Sequence, residues 1–192
     1  MDILEILEAV NQGKITVSKA KKLLELYSIE EVENFAKIDI NRKMRKGIPE
    51  VIFAEGKQLL EIKKIISKVL KKSDSILVSR IQKKDYSKVI DFSKKNNYKI
   101  KKGKNTTTVL IFRKSIKKTG GKIGIITAGT SDIGIAEEAK LMCESMNCKC
   151  ITSYDIGIAG LHRTFPVLKE FVKSDVDVVI VAAGMEGALA SV

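Results

Sequence analysis

KIGIITAGTSD, residues 122–132, is the most informative stretch for predicting the fold. Its apolar run ends in small and polar residues, and a helical pattern follows directly. Two further apolar runs, 150–154 and 176–181, alternate with helical segments at 133–146 and 163–173. Strands that are apolar throughout are typical of a parallel sheet with helices on both faces. The sequence therefore predicts a βαβαβ unit in the second part of the chain.

The first part of the chain has a different pattern and predicts a separate α/β domain. A helical hairpin comes first, and strands then alternate with helices. The predicted helices are 2–11, 18–27, 58–70 and 86–94, and the predicted strands are 35–39, 50–54, 75–79, 98–100 and 106–112. Lys114–Gly121 combines a charge run with two glycines, as a domain linker does. We therefore expect a basic N-terminal α/β domain at 1–119 and a parallel-sheet domain at 120–192.

The net charge of +12 is concentrated in the N-terminal domain. Residues 1–119 hold 29 Lys and Arg against 14 Asp and Glu, whereas residues 120–192 hold 6 against 9. Most of these lysines fall in helical runs, and only 5% of the residues are aromatic. This pattern favours a solvated surface over a nucleic-acid interface. An acidic N-terminus and the lack of a long apolar run predict a cytoplasmic protein without a membrane partner.

Three cysteines, Cys143, Cys148 and Cys150, lie within eight residues of one another. No second pair of ligands occurs elsewhere, so the sequence predicts neither a disulfide framework nor a metal site. We expect buried or half-buried thiols in a reducing compartment.

The first of three loops that follow the apolar strands begins at Ala128 and continues as Gly129-Thr130-Ser131-Asp132. Ligands bind at the carboxyl ends of parallel strands, and backbone N–H groups at a helix start favour a phosphate. Asp132 has two interpretations: it binds sugar hydroxyls, or it caps the helix.

The second and third loops carry the other candidate site residues. The second holds His162, the only histidine, beside the anion ligand Arg163. The third places Glu186 between two glycines, where a catalytic role competes with simple compensation of a helix dipole. The remaining predicted substrate-binding residues of these loops are Asp155, Gly160, Gly184, Met185 and Gly187.

These loops resemble a known group of carboxylases. The run Gly129–Asp132, an Ala-Glu-Glu-Ala helix and Ala159–Thr164 are similar to the pattern of AIR carboxylase (phosphoribosylaminoimidazole carboxylase). More closely, the whole chain resembles the LarB family of nickel-pincer cofactor biosynthesis. That resemblance rests on several stretches in order: the N-terminal hairpin, 35–39, 47–52, 55–57, 78–80, 127–133, 154–163 and 181–189. It implies a flavodoxin-like, three-layer αβα fold for the second domain.

The resemblance also implies a reaction. Such an enzyme carboxylates the pyridinium ring of nicotinic acid adenine dinucleotide at C5 and hydrolyses the phosphoanhydride, which releases AMP. A cysteine thiolate first adds to the ring, and a base later removes the C5 proton. By this resemblance Glu186 is that base, Thr130, Ser131 and Asp132 hold phosphate and ribose, and Asp155, His162 and Arg163 contribute to the dinucleotide site.

The resemblance further implies cofactors and partners. We expect Mg²⁺ and no organic cofactor, although the sequence has no dedicated cluster of metal carboxylates. The expected partners are the dinucleotide, CO2 or bicarbonate, and further copies of the chain, since AIR carboxylase relatives form octamers.

The sequence departs from the family pattern at its end. It stops at Val192 before the family's cysteine nucleophile, and Ala190 stands where proline is expected. We therefore expect a truncated, incomplete second domain that at most binds nucleotide; full carboxylation by these 192 residues would contradict this. Two alternatives stay open: an aminoimidazole ribotide carboxylase of purine synthesis, and a non-catalytic module that binds nucleotides or nucleic acid.

Overall fold

The computed structural model describes residues 3–26, 29–32, 36–39, 48–114, 120–185 and 187–192. The predicted domain boundary after residue 119 follows directly on residues 115–119, which lie outside the described residues, and it stays a prediction. No helix among the described residues is long and apolar enough to cross a membrane.

The chain begins with the predicted helical hairpin. Helices α1 (Ile3–Asn11) and α2 (Val17–Leu26) pack together, with Ile6 and Ala20 buried. A two-stranded antiparallel sheet follows, formed by β1 (Ile29–Val32) and β2 (Ala36–Asp39). Only β2 was predicted, because consecutive glutamates interrupt the apolar pattern of β1.

A mixed four-stranded sheet forms the body of the N-terminal part. Its order is β3-β4-β6-β5, with β3 parallel to β4 and the other two pairs antiparallel. Helices α3 and α4 bury their apolar faces in its core, where Ile66, Val69, Ile76 and Val109 are fully buried. The bounds are β3 Val51–Phe53, α3 Leu59–Lys72, β4 Ser75–Ser79, α4 Lys83–Lys95, β5 Lys99–Lys102 and β6 Val109–Phe112.

Several of these elements, α4, β5 and β6 among them, differ from their predicted boundaries. Helix α4 begins at Lys83, three residues before the predicted start at Tyr86. The first three residues of the helix are charged, so they give no apolar periodicity from which the start could be predicted. Strand β5 ends two residues after its predicted end, since it is mostly lysine and has no apolar signal. Strand β6 begins three residues after its predicted start and ends at Phe112 as predicted.

The second sheet confirms the predicted α/β fold with parallel strands and alternating helices. Its order is β8-β7-β9, all parallel, which is the order at the start of flavodoxin-like sheets. The bounds are β7 Lys122–Thr127, α5 Ile133–Ser145, β8 Lys149–Ser153, α6 Thr164–Lys173 and β9 Val178–Ala182. The two crossovers run in opposite directions across the sheet, so right-handed connections place α5 and α6 on opposite faces.

Helix α6 packs closely on β7. A Cβ at Gly124 would lie 2.5 Å from the Phe171 ring, so the strand needs glycine at this point. The faces of β9 are less covered than those of β7: Val178 and Val179 are 53% and 42% exposed, whereas most of β7 is buried. The reason is that β9 is an edge strand among the described residues.

Helix α5 lies between the two sheets and joins them. Its Leu141 is buried against Leu77 of β4 and Leu110 of β6, and the same helix packs on all three strands of the parallel sheet. At its first turn, a Cβ at Gly134 would lie 2.5 Å from the Asn105 carbonyl oxygen. The carboxyl end of β7 is therefore held close to the N-terminal sheet.

Candidate functional site

Three loops meet at the carboxyl edge of the parallel sheet. Backbone hydrogen bonds extend past the strands: the Ala128 N–H donates to the Ala182 carbonyl at 3.0 Å, and the Ile156 N–H to the Thr127 carbonyl at 3.0 Å. The chain connects β7 to β8 on one side of β7 and then continues from β8 to β9 on its other side, so β7 and β9 form a topological switch point. Such switch points are where open α/β sheets bind ligands.

Asp132 ties the first loop to the third. Its carboxylate accepts the Gly129 N–H at 3.0 Å and, 52 residues on, the Gly184 N–H at 3.1 Å. A Cβ at Gly184 would lie 2.9 Å from the same carboxylate, so glycine permits this approach. Asp132 is the N-cap residue of α5 but makes no side-chain capping bond to that helix; its carboxylate instead joins the first and third loops, a contact that the sequence did not indicate. Binding of sugar hydroxyls, the other interpretation, stays a prediction. Beside Asp132, Thr130 and Ser131 are exposed in a 3-10 turn.

The second loop brings Asp155, Gly160 and Arg163 together. Nη1 of Arg163 donates to the Asp155 carbonyl at 2.9 Å and lies 3.5 Å from its carboxylate. A Cβ at the buried Gly160 would lie 2.8 Å from Nε of Arg163, so glycine makes room for the guanidinium. Asp155 itself has a φ of 60°, and its N–H donates to the Thr127 hydroxyl at 3.0 Å. Arg163 is therefore held in place while 43% of its side chain stays exposed.

The remaining predicted site residues are placed as follows. His162 is exposed on a 3-10 segment, Ile158–Arg163, within the stretch that was predicted to be a loop. Met185 is 96% exposed, and Gly187 adopts a left-handed conformation with a φ of 71°. Glu186, the predicted base, lies outside the described residues.

A buried carboxylate that was not predicted lies behind the second loop. Glu137 of α5 is 2% exposed; it accepts hydrogen bonds from Lys140 Nζ at 2.9 Å, the Lys104 N–H at 3.1 Å and the Tyr154 hydroxyl. Burial opposes its ionisation, but these donors outweigh burial and lower the pKa of Glu137. Burial and the same contact raise the pKa of Tyr154 to about 12. Since Tyr154 precedes Asp155, this network supports the second loop.

The three cysteines lie at the opposite edge of the sheet from the loops. Cys143 is near the end of α5, and Cys148 and Cys150 are at the start of β8. All three are free thiols, and Cys143 is buried. Within the described ranges, no group of three or more His, Cys, Asp or Glu side chains is placed to hold a metal ion.

Comparison with known proteins identifies the family. Residues 29–113 match a family model described as the LarB/PurE-like N-terminal domain, which spans β1 through β6. An uncharacterised protein of Methanocaldococcus jannaschii is 45% identical over 192 residues, and the match covers 98% of this chain and 74% of that protein. The family model covers the N-terminal part, and the relative extends the similarity through the three loops. The chain therefore belongs to the LarB family.

Proposed function

We propose that this protein binds nicotinic acid adenine dinucleotide at the three loops and acts in the carboxylation of its pyridinium ring at C5 and the hydrolysis of its phosphoanhydride. Membership of the LarB/PurE-like family indicates an enzyme of the carboxylase type in general. The observation that carries the finer proposal is the meeting of three loops at the β7/β9 switch point, with Asp132 bonded to two of them.

The loops offer groups that suit the anionic part of a dinucleotide. Thr130 and Ser131 present hydroxyls at the start of α5, where backbone N–H groups favour phosphate oxygens. Arg163 adds a cation that is already oriented by the Asp155 carbonyl. Because the guanidinium is held before the ligand arrives, less side-chain entropy is lost on binding.

The ring chemistry requires a nucleophile and a base. A pyridinium is electron-poor and does not attack CO2 until a thiolate has added to the ring. After C5 of the ring has attacked CO2, a base removes the C5 proton, and the aromatic ring is restored as the thiolate leaves. Glu186 is the residue that we propose as this base. Cys143, Cys148 and Cys150 do not supply the thiolate, because they lie at the other edge of the sheet.

Mg²⁺ remains part of the proposal for the hydrolytic step. The described residues hold no cluster that would bind a metal through protein ligands alone. Mg²⁺ in phosphate chemistry usually binds through one or two carboxylates together with substrate phosphates. We therefore propose that the ion binds together with the substrate.

A second candidate function is carboxylation of an aminoimidazole ribotide. The position of the cysteines favours it, since that substrate is already an enamine-like nucleophile and needs no thiolate. The matched domain at 29–113 is described as LarB/PurE-like and so fits either substrate. Binding selectivity separates the two.

We also propose that the protein acts as a homo-oligomer. Large apolar side chains are exposed on α6 and β9, among them Phe165 at 59%, Val172 at 80% and Val178 at 53%. Apolar side chains that cluster at the surface mark contact sites with other chains.

Calorimetric titration with the dinucleotide, AMP and an aminoimidazole ribotide tests the proposed function. We expect saturable binding with a preference for the dinucleotide. Preference for the ribotide would support purine synthesis instead. Weak, steeply salt-dependent binding to any polyanion would indicate a non-catalytic module.

Glu186→Gln is expected to leave the affinity for the dinucleotide within about a factor of two, because a base that acts after binding contributes to the transition state and not to ground-state binding. Calorimetry on this variant beside the wild type measures it. A large loss of affinity would show that Glu186 holds the substrate and is not simply the base.

A further inference from the structure

A cavity lies between the N-terminal sheet and the start of α5. It has a volume of about 620 Å³, and its lining includes Arg80, Lys83, Thr106, Ser131 and Glu138. We call it the inter-sheet cleft. Ser131 belongs to the predicted phosphate loop, whereas Arg80, Lys83 and Thr106 come from the N-terminal part of the chain. The cleft therefore joins the candidate site to residues that no prediction had assigned a role.

Arg80 occupies this cleft in an unusual backbone conformation. It follows the last residue of β4 and has a φ of 52°, a region that residues other than glycine, asparagine and aspartate rarely adopt. Its N–H donates to the Thr108 hydroxyl at 3.4 Å, and its guanidinium lies 5.3 Å from the centre of the Phe53 ring. Backbone strain that the surrounding structure maintains is concentrated at functional sites.

The charges in the cleft favour an anion. Two cations, Arg80 and Lys83, face one carboxylate, Glu138. Both oxygens of Glu138 are already engaged, by the Ser79 hydroxyl at 2.5 Å and the Thr108 hydroxyl at 3.2 Å. The ion pair between Arg80 and Glu55 spans 3.5 Å and is 55% and 62% exposed, so it competes only weakly with a ligand.

We propose that the inter-sheet cleft binds a phosphate group of the nucleotide ligand, with Arg80 and Lys83 as its cationic ligands and Ser131 as a hydroxyl donor. Arg80 and Lys83, from the N-terminal part of the chain, thereby complete a phosphate site to which Ser131 contributes from the start of α5. Arginine suits this role because its planar fork donates two parallel hydrogen bonds to phosphate oxygens. The identity of the nucleotide rests on the proposed function. The proposal that a phosphate group binds here rests only on the side chains that line the inter-sheet cleft.

Titration of the chain with inorganic pyrophosphate at fixed ionic strength tests this proposal. We expect saturable binding that weakens about 10-fold or more in Arg80→Gln and in Lys83→Gln, as loss of a charge-assisted hydrogen bond predicts. Arg80→Lys, which keeps the charge but not the fork, should fall between wild type and Arg80→Gln. Lys84→Gln is the matched control, because Lys84 is the exposed neighbour of Lys83 and does not line the cleft.

The outcomes distinguish binding in the cleft from diffuse attraction by the net charge of +12. No saturable pyrophosphate binding, or equal weakening in Arg80→Gln, Lys83→Gln and Lys84→Gln, would overturn the proposal. Thermal unfolding of each variant identifies a loss of binding that is due to misfolding. If Arg80→Gln misfolds, the pyrophosphate affinity of Arg80→Lys is compared with that of wild type instead, and an unchanged affinity would overturn the proposal. If pyrophosphate binding depends on Arg80 but the protein does not prefer the dinucleotide, the proposed function is contradicted. The phosphate site in the inter-sheet cleft is still supported in that case.

Discussion

Asp132→Asn is expected to weaken binding of nicotinic acid adenine dinucleotide about 100-fold, the largest effect on binding that the structure predicts. Asp132 accepts two N–H groups, from Gly129 and Gly184. Asparagine replaces one acceptor oxygen with an NH2 donor, which then faces an N–H donor. The contact between the first and third loops is lost, and the ligand must order both loops on binding. Calorimetric titration measures the change.

Asp177→Asn is the matched control for this prediction. Asp177 accepts the Lys122 N–H at 2.7 Å, so it is an aspartate with a similar backbone contact, but at the amino edge of the sheet. We expect its dinucleotide affinity to stay close to that of wild type. Equal losses in the two variants would show that Asp132 acts through general stability alone.

Glu137→Gln is expected to lower the free energy of unfolding by about 3 kcal/mol, because breaking a buried charged network leaves donors without an acceptor. The glutamine amide would face Lys140, Tyr154 and the Lys104 N–H, all of which donate to the wild-type carboxylate. Denaturation in urea measures the difference. Glu170→Gln is the control: Glu170 is exposed on α6, and its change should stay within about 0.5 kcal/mol.

The contribution of Glu137 should also depend on pH in a defined direction. The folded state lowers the pKa of Glu137 below the ordinary value of 4.5, so ionisation stabilises the fold above that value. As the pH falls through the lowered pKa, the carboxylate is protonated and this stabilisation is lost. The difference between wild type and Glu137→Gln should therefore be largest above pH 5 or so and shrink in acid. A difference that grows in acid would contradict this account.

The sequence predicted the alternation of strands and helices better than the contacts between distant segments. The second domain could be read from continuous apolar runs, because a parallel sheet leaves that pattern in every strand. The position of α5 between two sheets was not predicted. Its apolar residues nevertheless occur on more than one face, the buried Leu141 and Cys143 among them, and this is typical of a helix buried on two sides.

Within the site, the sequence identified loops but not the bonds between them. Asp132 was predicted to bind sugar hydroxyls or to cap the helix, whereas its bond to Gly184 spans 52 residues and depends on the strand order. Arg80 lies in the stretch 78–80 that resembles the family, but its left-handed conformation was not predictable, since it follows from how β4 leaves the sheet and not from residue type. Glu137 was visible in the Ala-Glu-Glu-Ala helix, but its burial depends on Tyr154 and Lys104, which come from other elements.

Hydrogen–deuterium exchange with and without nicotinic acid adenine dinucleotide tests whether the three loops at the β7/β9 switch point form one nucleotide site. We expect peptides covering 128–132, 155–163 and 182–187 to gain protection together at saturating ligand. Saturating binding with no change in these peptides, or with protection confined to another part of the chain, would contradict this expectation.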